Sequence, residues 1–292
     1  KYSIKRLLKT RDWRFRDFDR RICWSPYSLA VSAEKNKIAQ RYDFLIAGSD
    51  QVWNPSFPGT NDDAFLTFVP KQKRISYAAS FGISELPNNL LEKFERYMKG
   101  FQAISVREKQ AVKIVEQFEG CHAETVLDPT LLLSRKEWER VAQPPKTKEK
   151  YVLKYLLGEE QPDCDKTIKD LLGDIKIVDV KSMLAGSGNT IGPADFLGLV
   201  MNAELVCTDS FHASVFSTVF EKPFVIFERI DKKKDMSSRI DSLCEMLALH
   251  EHRYSSLMFD FSKIMRPDYK ETIALWEREK AKSLSYLIKA IK

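Results

Sequence analysis

The feature that most constrains this chain is the alternation between short apolar runs and longer amphipathic segments over its second half. Tyr151–Leu157 reads as a strand, 162–173 as a helix, and Ile175–Val180 as a strand. A helix over 193–203, opened by Gly192-Pro193, comes next. Strand Glu204–Thr208, helix Ser210–Phe220, strand Phe224–Phe227 and helix 237–248 complete the series. Strands separated by helices of this length are joined by crossovers. They therefore build a parallel sheet covered on both faces.

The first half follows the same rule less cleanly. Strand-like runs lie at Asp43–Gly48, Ile75–Phe81, Ala103–Val106 and Glu124–Asp128, with helical spacing over about 87–101 and 107–118. Gln143-Pro-Pro-Lys-Thr-Lys-Glu-Lys150 breaks the pattern, since two prolines forbid a continuing helix. The expected organisation is an N-terminal α/β domain over 1–142, a linker at 143–150 and a second over 151–265. A long helix over 266–292, with Ile273, Trp276, Leu284, Leu287 and Ile288 on its apolar face, is expected to pack back on the first domain.

Composition excludes several classes. The 292 residues are 43% hydrophobic and 30% charged, which describes an ordinary globular chain. The net charge of +6 is confined to residues 1–21, where nine basic residues face three acidic ones; the remainder balances. A nucleic-acid partner is not expected. Trp13, Phe15 and Phe18 in that segment read as the buried stripe of a helix. Two readings of residues 1–21 stand: a solvated amphipathic helix, or a weak peripheral contact with an anionic membrane face. Cys23, Cys121, Cys164, Cys207 and Cys244 are scattered singly, which suits reduced thiols in the cytoplasm. No apolar run approaches a membrane span, and no histidine spacing suggests a metal site or a cofactor.

In open parallel sheets, ligands bind beyond the carboxyl ends of strands. Four such crests carry polar residues. The first is Gly48-Ser49-Asp50, followed by Asn54; it is either a turn with an Asx cap or a ligand loop. Gly82, closing Ser80-Phe-Gly, either admits a ligand or makes the turn. Arg107 stands where a strand becomes a helix, placed for a carboxylate or phosphate, or for a structural ion pair. The fourth is Thr208-Asp-Ser-Phe-His212, with Asp209 or Thr208 expected to cap the helix and His212 in its first turn, suited to hold an anion and pass a proton. Glu228, Arg229, Asp231 and the Lys232–Lys234 run follow the next strand.

Together the segments GSDQVWN, ISYAASFG, SVRE, VLDPTLLL and TDSFHASVFSTVFEKPFVIF resemble the polysaccharide pyruvyl transferase family over roughly residues 41–247. The resemblance implies two Rossmann-like domains facing a cleft, as in GT-B glycosyltransferases. It also implies transfer of a pyruvyl group from phosphoenolpyruvate to two sugar hydroxyls, forming a cyclic ketal in cell-surface or exopolysaccharide synthesis.

By the same resemblance, Arg107 and Lys232 would bind donor carboxylate or phosphate, and His212 would hold phosphate or act as acid and base. From their places on the crests, Ser210, Gly48, Ser49 and Gly82 are expected to line the donor site, and Asp50 to serve as base for an acceptor hydroxyl. The glycan acceptor is free or lipid-linked, and the location expected is the cytoplasm or the inner face of the membrane. Two departures stand out. Ser210 occupies a position where characterised members carry arginine, and no opening strand precedes Arg21, so the family's first strand-loop unit is expected to be missing. The alternatives are a nucleotide-sugar glycosyltransferase of GT-B type and a non-catalytic glycan-binding homologue.

Overall fold

The computed structural model describes residues 13–159, 161–185, 191–230, 238–255 and 259–292. Its first half runs α1 (Trp13–Asp19), α2 (Ser32–Arg41), β1 (Leu45–Ala47), β2 (Arg74–Ser76), α3 (Leu91–Lys99), β3 (Ser105–Val106), α4 (Lys109–Glu116) and β4 (Glu124–Thr125). Next come α5 (Arg135–Glu139), β5 (Tyr151–Tyr155), α6 (Pro162–Leu172), β6 (Lys176–Asp179), α7 (Val180–Ala185) and α8 (Pro193–Asn202). The chain ends with β7 (Leu205–Thr208), α9 (Phe211–Val219), β8 (Phe224–Ile226), α10 (Ser238–Leu247), α11 (Phe261–Met265) and α12 (Lys270–Ala290). The architecture is mixed α/β, and every paired strand in it is parallel. Among the described residues, no helix is long and apolar enough to cross a membrane.

Two compact units emerge. One, the Arg107 unit, is built from Ser25–Leu132, Lys233–Leu249 and Lys270–Lys292. The other, the His212 unit, comprises Lys1–Trp24, Leu133–Lys232 and His250–Tyr269.

In the His212 unit the strand order is β6-β5-β7-β8. Strands β5, β7 and β8 are buried and mostly apolar because helices cover both faces; Val152, Leu205, Cys207 and Val225 are sealed in the core with Ile168 and Ile264. Lys154 of β5 is the charged exception, paired with Asp165 at 2.8 Å. The order reverses between β5 and β7, the position where α/β sheets open a ligand crevice. Helix α8 starts where Gly192-Pro193 says it should, with Asp195 Oδ2 accepting the Gly192 N–H at 2.8 Å.

In the Arg107 unit, β1 pairs with β2 and β3 with β4. Parallel bridges Ile75–Ala103 and Ala79–Val106 connect the two pairs into one array. The strand expected over Ile75–Phe81 is shorter than its apolar run: β2 stops at Ser76, because Ala78 takes a left-handed φ of 51° that interrupts the ladder. An aromatic cluster fixes the chain after β1. Trp53 is fully buried, stacks on Phe65 at 5.5 Å and meets Phe81 and Phe101 edge-on.

Helix α12 confirms the long helix read from the sequence, but only part of the expected face turns inward: Trp276 is buried and Leu287 packs against the core. Ile273, Leu284 and Ile288 are exposed, while Thr272, Trp276, Ser283, Tyr286 and Ala290 are buried. Polar tips set this rotation. Trp276 Nε1 donates to the Leu131 carbonyl at 2.6 Å, Tyr286 to the Ser76 carbonyl at 2.8 Å, and Ser283 Oγ accepts the Leu127 N–H at 2.9 Å. Each satisfies a backbone group that the short strands leave open, which outweighs burying three aliphatic side chains.

Helix α1 corrects a further expectation. Phe15 is exposed and Phe18 half-buried, so the aromatic stripe is not sealed. Residues 1–12, which carry much of the basic segment, lie outside the described residues. The helices α2, α5, α7 and α11 were not foreseen from the sequence pattern. The five cysteines are free thiols, four of them buried.

Candidate functional site

Both units gather polar side chains at the carboxyl ends of their strands. In the Arg107 unit, main-chain hydrogen bonds lock the crest loops together. Ser80 N donates to the Asp50 carbonyl at 2.9 Å, Trp53 N to Ser80 O at 3.2 Å, and Arg107 N to Ala79 O at 3.2 Å. Gly48 (φ 131°) lies so close to the Tyr77 carbonyl that a Cβ would collide with it. Gly82 (φ 62°) is pressed against the Gln51 and Asn54 side chains in the same way. At both glycines the close approach is to the protein's own chain.

On this base sits a charge network. Arg107 is 1% exposed, and its Nη1 donates to Asp128 Oδ2 at 2.7 Å, its Nη2 to Asp50 Oδ1 at 3.1 Å. Asp128 is equally buried and fully engaged. Ser49 Oγ donates to its Oδ2 at 3.0 Å, and Thr130 N and Oγ1 donate to its Oδ1 at 3.0 and 2.6 Å. Asp50 differs: its side chain is 69% exposed. Its Oδ1 also lies 3.7 Å from Nη1 of Arg239, a buried arginine in the first turn of α10. With the Gln51 amide turned so that its oxygen faces Arg239, it accepts from both terminal nitrogens at 3.0 and 2.9 Å.

Glu108, the next residue after Arg107, is fully buried. Its Oε1 accepts from Ser80 Oγ at 2.8 Å and from Phe81 N at 3.1 Å. Burial pushes this carboxyl above the ordinary glutamate range, against the opposing pull of Arg107, the Ser80 hydroxyl, Arg239 and the Phe81 amide. A fully buried carboxylate is costly, so Glu108 holds its proton more readily than a surface glutamate.

In the His212 unit, the crest forms at the switch point between β5 and β7. The residue that caps α9 is Ser210, whose Oγ accepts the Ala213 N–H at 3.4 Å. Asp209 and Thr208, expected as caps, are committed elsewhere. Asp209 accepts the Leu157 and Gly158 N–H groups at 2.6 and 2.8 Å, pinning the loop after β5 to the end of β7. Thr208 Oγ1 donates to Tyr155 O at 2.7 Å and accepts from Ser210 N at 2.9 Å.

Helix α9 is buried on all sides. Its Ser214, Ser217 and Thr218 hydroxyls are satisfied by carbonyls four residues earlier, at 3.0, 2.8 and 2.9 Å. Every residue of α9 is buried except His212. A histidine that packs for structure looks different in this same unit. His252 stacks on Phe224 with ring centroids 3.9 Å apart, its Nδ1 lies 2.9 Å from the Phe224 carbonyl, and burial lowers its pKa. His212 is held at the helix N-terminus and is not absorbed by the core.

The family model for polysaccharide pyruvyl transferase matches residues 5–231. The chain belongs to the polysaccharide pyruvyl transferase family. A search of the curated proteins found no match. The matched span carries Asp50, Arg107, Glu108, Asp128, Ser210 and His212 of this pyruvyl transferase family member, and ends before Arg239.

Gly48, Ser49, Asp50, Gly82 and Arg107 thus belong to one unit, and Ser210 and His212 to the other. Lys232 lies outside the described residues. Sequence reasoning missed Asp128, Glu108, Gln51 and Arg239. The first three stand inside recognised segments: Asp128 as an acid closing a strand, Glu108 as an acid beside an arginine, and Gln51 within GSDQVWN. Arg239 gave none, because only the fold returns α10 to this crest. A separate cavity of about 440 Å³ follows edge strand β6, between Pro144 and Met183, and none of the sequence-predicted residues lines it.

Proposed function

We propose that the chain transfers the pyruvyl group of phosphoenolpyruvate to two hydroxyls of a glycan acceptor, forming a cyclic ketal and releasing phosphate. The GT-B-like architecture, a cytoplasmic place of work and a role in cell-surface or exopolysaccharide synthesis belong to the same proposal. The observation that carries it is His212. In a family of pyruvyl transferases, it is the one residue of α9 that is not fully buried, partly exposed in the helix's first turn at a sheet switch point.

The chemistry asks for three things. A proton must reach the enolpyruvyl methylene, which leaves an oxocarbenium-like carbon. One sugar hydroxyl must attack that carbon and lose its proton. The second hydroxyl must then form the other C–O bond as phosphate departs with the C–O bonding pair, and that hydroxyl's proton passes to the departing phosphate. In this reading His212 delivers the first proton or neutralises phosphate, and Asp50 takes the proton of an acceptor hydroxyl. Arg107 and Lys232 balance the donor's anionic charge. Ser210 contributes by holding the N-terminus of α9 in place. Positioned proton transfer is typically worth about 10²–10⁴-fold, and oriented cations and helix N–H groups add stabilisation of the developing charge.

The test is phosphate release from phosphoenolpyruvate with a panel of free and lipid-linked glycans, wild type beside His212→Ala. Release with wild type and a fall of about 10²-fold or more in the variant supports the assignment. Equal turnover removes His212 from the mechanism. Binding of UDP- or GDP-sugars with no affinity for phosphoenolpyruvate overturns the donor in favour of a glycosyltransferase.

A further inference from the structure

Arg107 divides its guanidinium between two carboxylates in unlike settings. Asp128 is buried and saturated by Ser49 and Thr130 as well as by the arginine, so that position is fixed. Asp50 contacts Nη2 at 3.1 Å from a side chain that is 69% exposed. An ion pair half in water is worth only about 0–1 kcal/mol, so a dissolved anion can compete with it. The same Asp50 oxygen lies near Arg239, whose guanidinium is buried and oriented by Gln51. A planar carboxylate from the chain's own surface is therefore held by two buried guanidinium groups from β3's crest and from α10.

We propose that Arg107 and Arg239 form a carboxylate-binding site that Asp50 occupies in the free protein, and that the carboxylate of the pyruvyl donor displaces it. This rests on the proposed donor for its identity, although the site itself requires only a small carboxylate. Arg239 thereby becomes a binding residue contributed from beyond the span that the family model matches. Displacement has a second effect: Asp50, released from both arginines, is freed to accept the proton of an acceptor hydroxyl. Donor binding and base release become one event.

The experiment measures dissociation constants for pyruvate, inorganic phosphate and phosphoenolpyruvate by calorimetry on four proteins. These are the wild type, Asp50→Asn, Arg239→Lys and the double variant. Asparagine tolerates the left-handed φ of 47° at position 50, so the first variant removes the internal competitor without straining the loop. Because apparent affinity scales with the fraction of open sites, Asp50→Asn is expected to tighten pyruvate and phosphoenolpyruvate by about 2–5-fold. Arg239→Lys loses the planar fork and is expected to weaken both by about 10-fold or more.

The cycle separates competition from a general field effect. If Asp50 competes at these arginines, its removal tightens binding much less in the Arg239→Lys background; additive effects overturn the proposal. Tightening of inorganic phosphate in place of pyruvate overturns the carboxylate assignment. Thermal melts check folding, and if Arg239→Lys fails to fold, the wild-type and Asp50→Asn arms still decide. Ketal formation by a wild type whose pyruvate affinity ignores Asp50→Asn refutes this site and leaves the functional reading standing. The stated response in pyruvate binding, with no phosphate release from phosphoenolpyruvate in the presence of any glycan, does the reverse.

Discussion

Replacing Asp128 or Asp50 by Asn removes one negative charge from the same guanidinium, yet the two substitutions are expected to differ sharply in cost. Arg107 and Asp128 are each 1% exposed at the side chain and 2.7 Å apart, with the remaining Asp128 lone pairs filled by Ser49 and Thr130. Breaking a buried pair from one side costs about 3–5 kcal/mol, since it removes the compensation of a charge that water cannot reach. Asp50 stands 3.1 Å away but 69% exposed, where solvent screening leaves about 0–1 kcal/mol. With a urea slope of about 2–3 kcal/mol per molar, Asp128→Asn should lower the midpoint by about 1–2.5 M and Asp50→Asn by less than about 0.5 M. The two units need not unfold together, so the transition is followed by hydrogen exchange at β3 and α4. Equal shifts for the two variants would falsify the reasoning that burial separates a fixed carboxylate from an exchangeable one.

Three further outcomes follow from the same geometry. Glu108→Gln keeps an oxygen for Ser80 Oγ and Phe81 N and removes a buried charge. It should be neutral or stabilising at pH 8, whereas Glu108→Ala, which strands both donors, should cost about 2–4 kcal/mol. Because the folded Glu108 pKa is raised, its contribution is complete below the unfolded value of about 4.3 and is lost as pH rises through the folded value; melting curves of wild type against Glu108→Gln should diverge upward across that window. His252 has the opposite slope. Its folded pKa lies below the ordinary value of about 6.5, so stability is full above that pH and declines as pH falls towards the folded pKa. His252→Phe should flatten this acid-side decline in a denaturation series from pH 7 to 5. Gly48→Ala places a Cβ against the Tyr77 carbonyl at φ 131°, and should lower the melting temperature of the Arg107 unit more than Gly120→Ala, where nothing lies within 4 Å.

The sequence disclosed the His212 unit more fully than the other. Strands β5, β7 and β8 are buried, mostly apolar runs because both faces are covered, and Gly192-Pro193 announces α8. In the Arg107 unit the strands last two or three residues, and their hydrogen bonds pass to side chains from far along the chain. Of the apolar face expected on α12, Trp276 and Leu287 do pack inward, whereas Ile273, Leu284 and Ile288 do not, because the polar tips of Trp276, Ser283 and Tyr286 set the rotation. The candidate residues divide the same way. His212 was legible from its place after an apolar strand, and Arg107 from its place before a helix. That the arginine's anchor is Asp128, and that a second arginine arrives from α10, depends on tertiary return. No local pattern encodes that.

The route of the chain has a consequence for its synthesis. The Arg107 unit is begun early, left when the chain enters the other unit at Leu133, and finished only by Lys233–Leu249 and Lys270–Lys292. Until those last segments leave the ribosome, Ser76 and Leu127 lack the side-chain partners that close their backbone groups, and Asp50 lacks Arg239. A nascent or C-terminally shortened chain therefore has a complete His212 crest template before it has a complete arginine crest. Helix α10 supplies the crest's second arginine and α12 closes the backbone groups beneath it, so the Arg107 unit is completed by segments made long after its first strands.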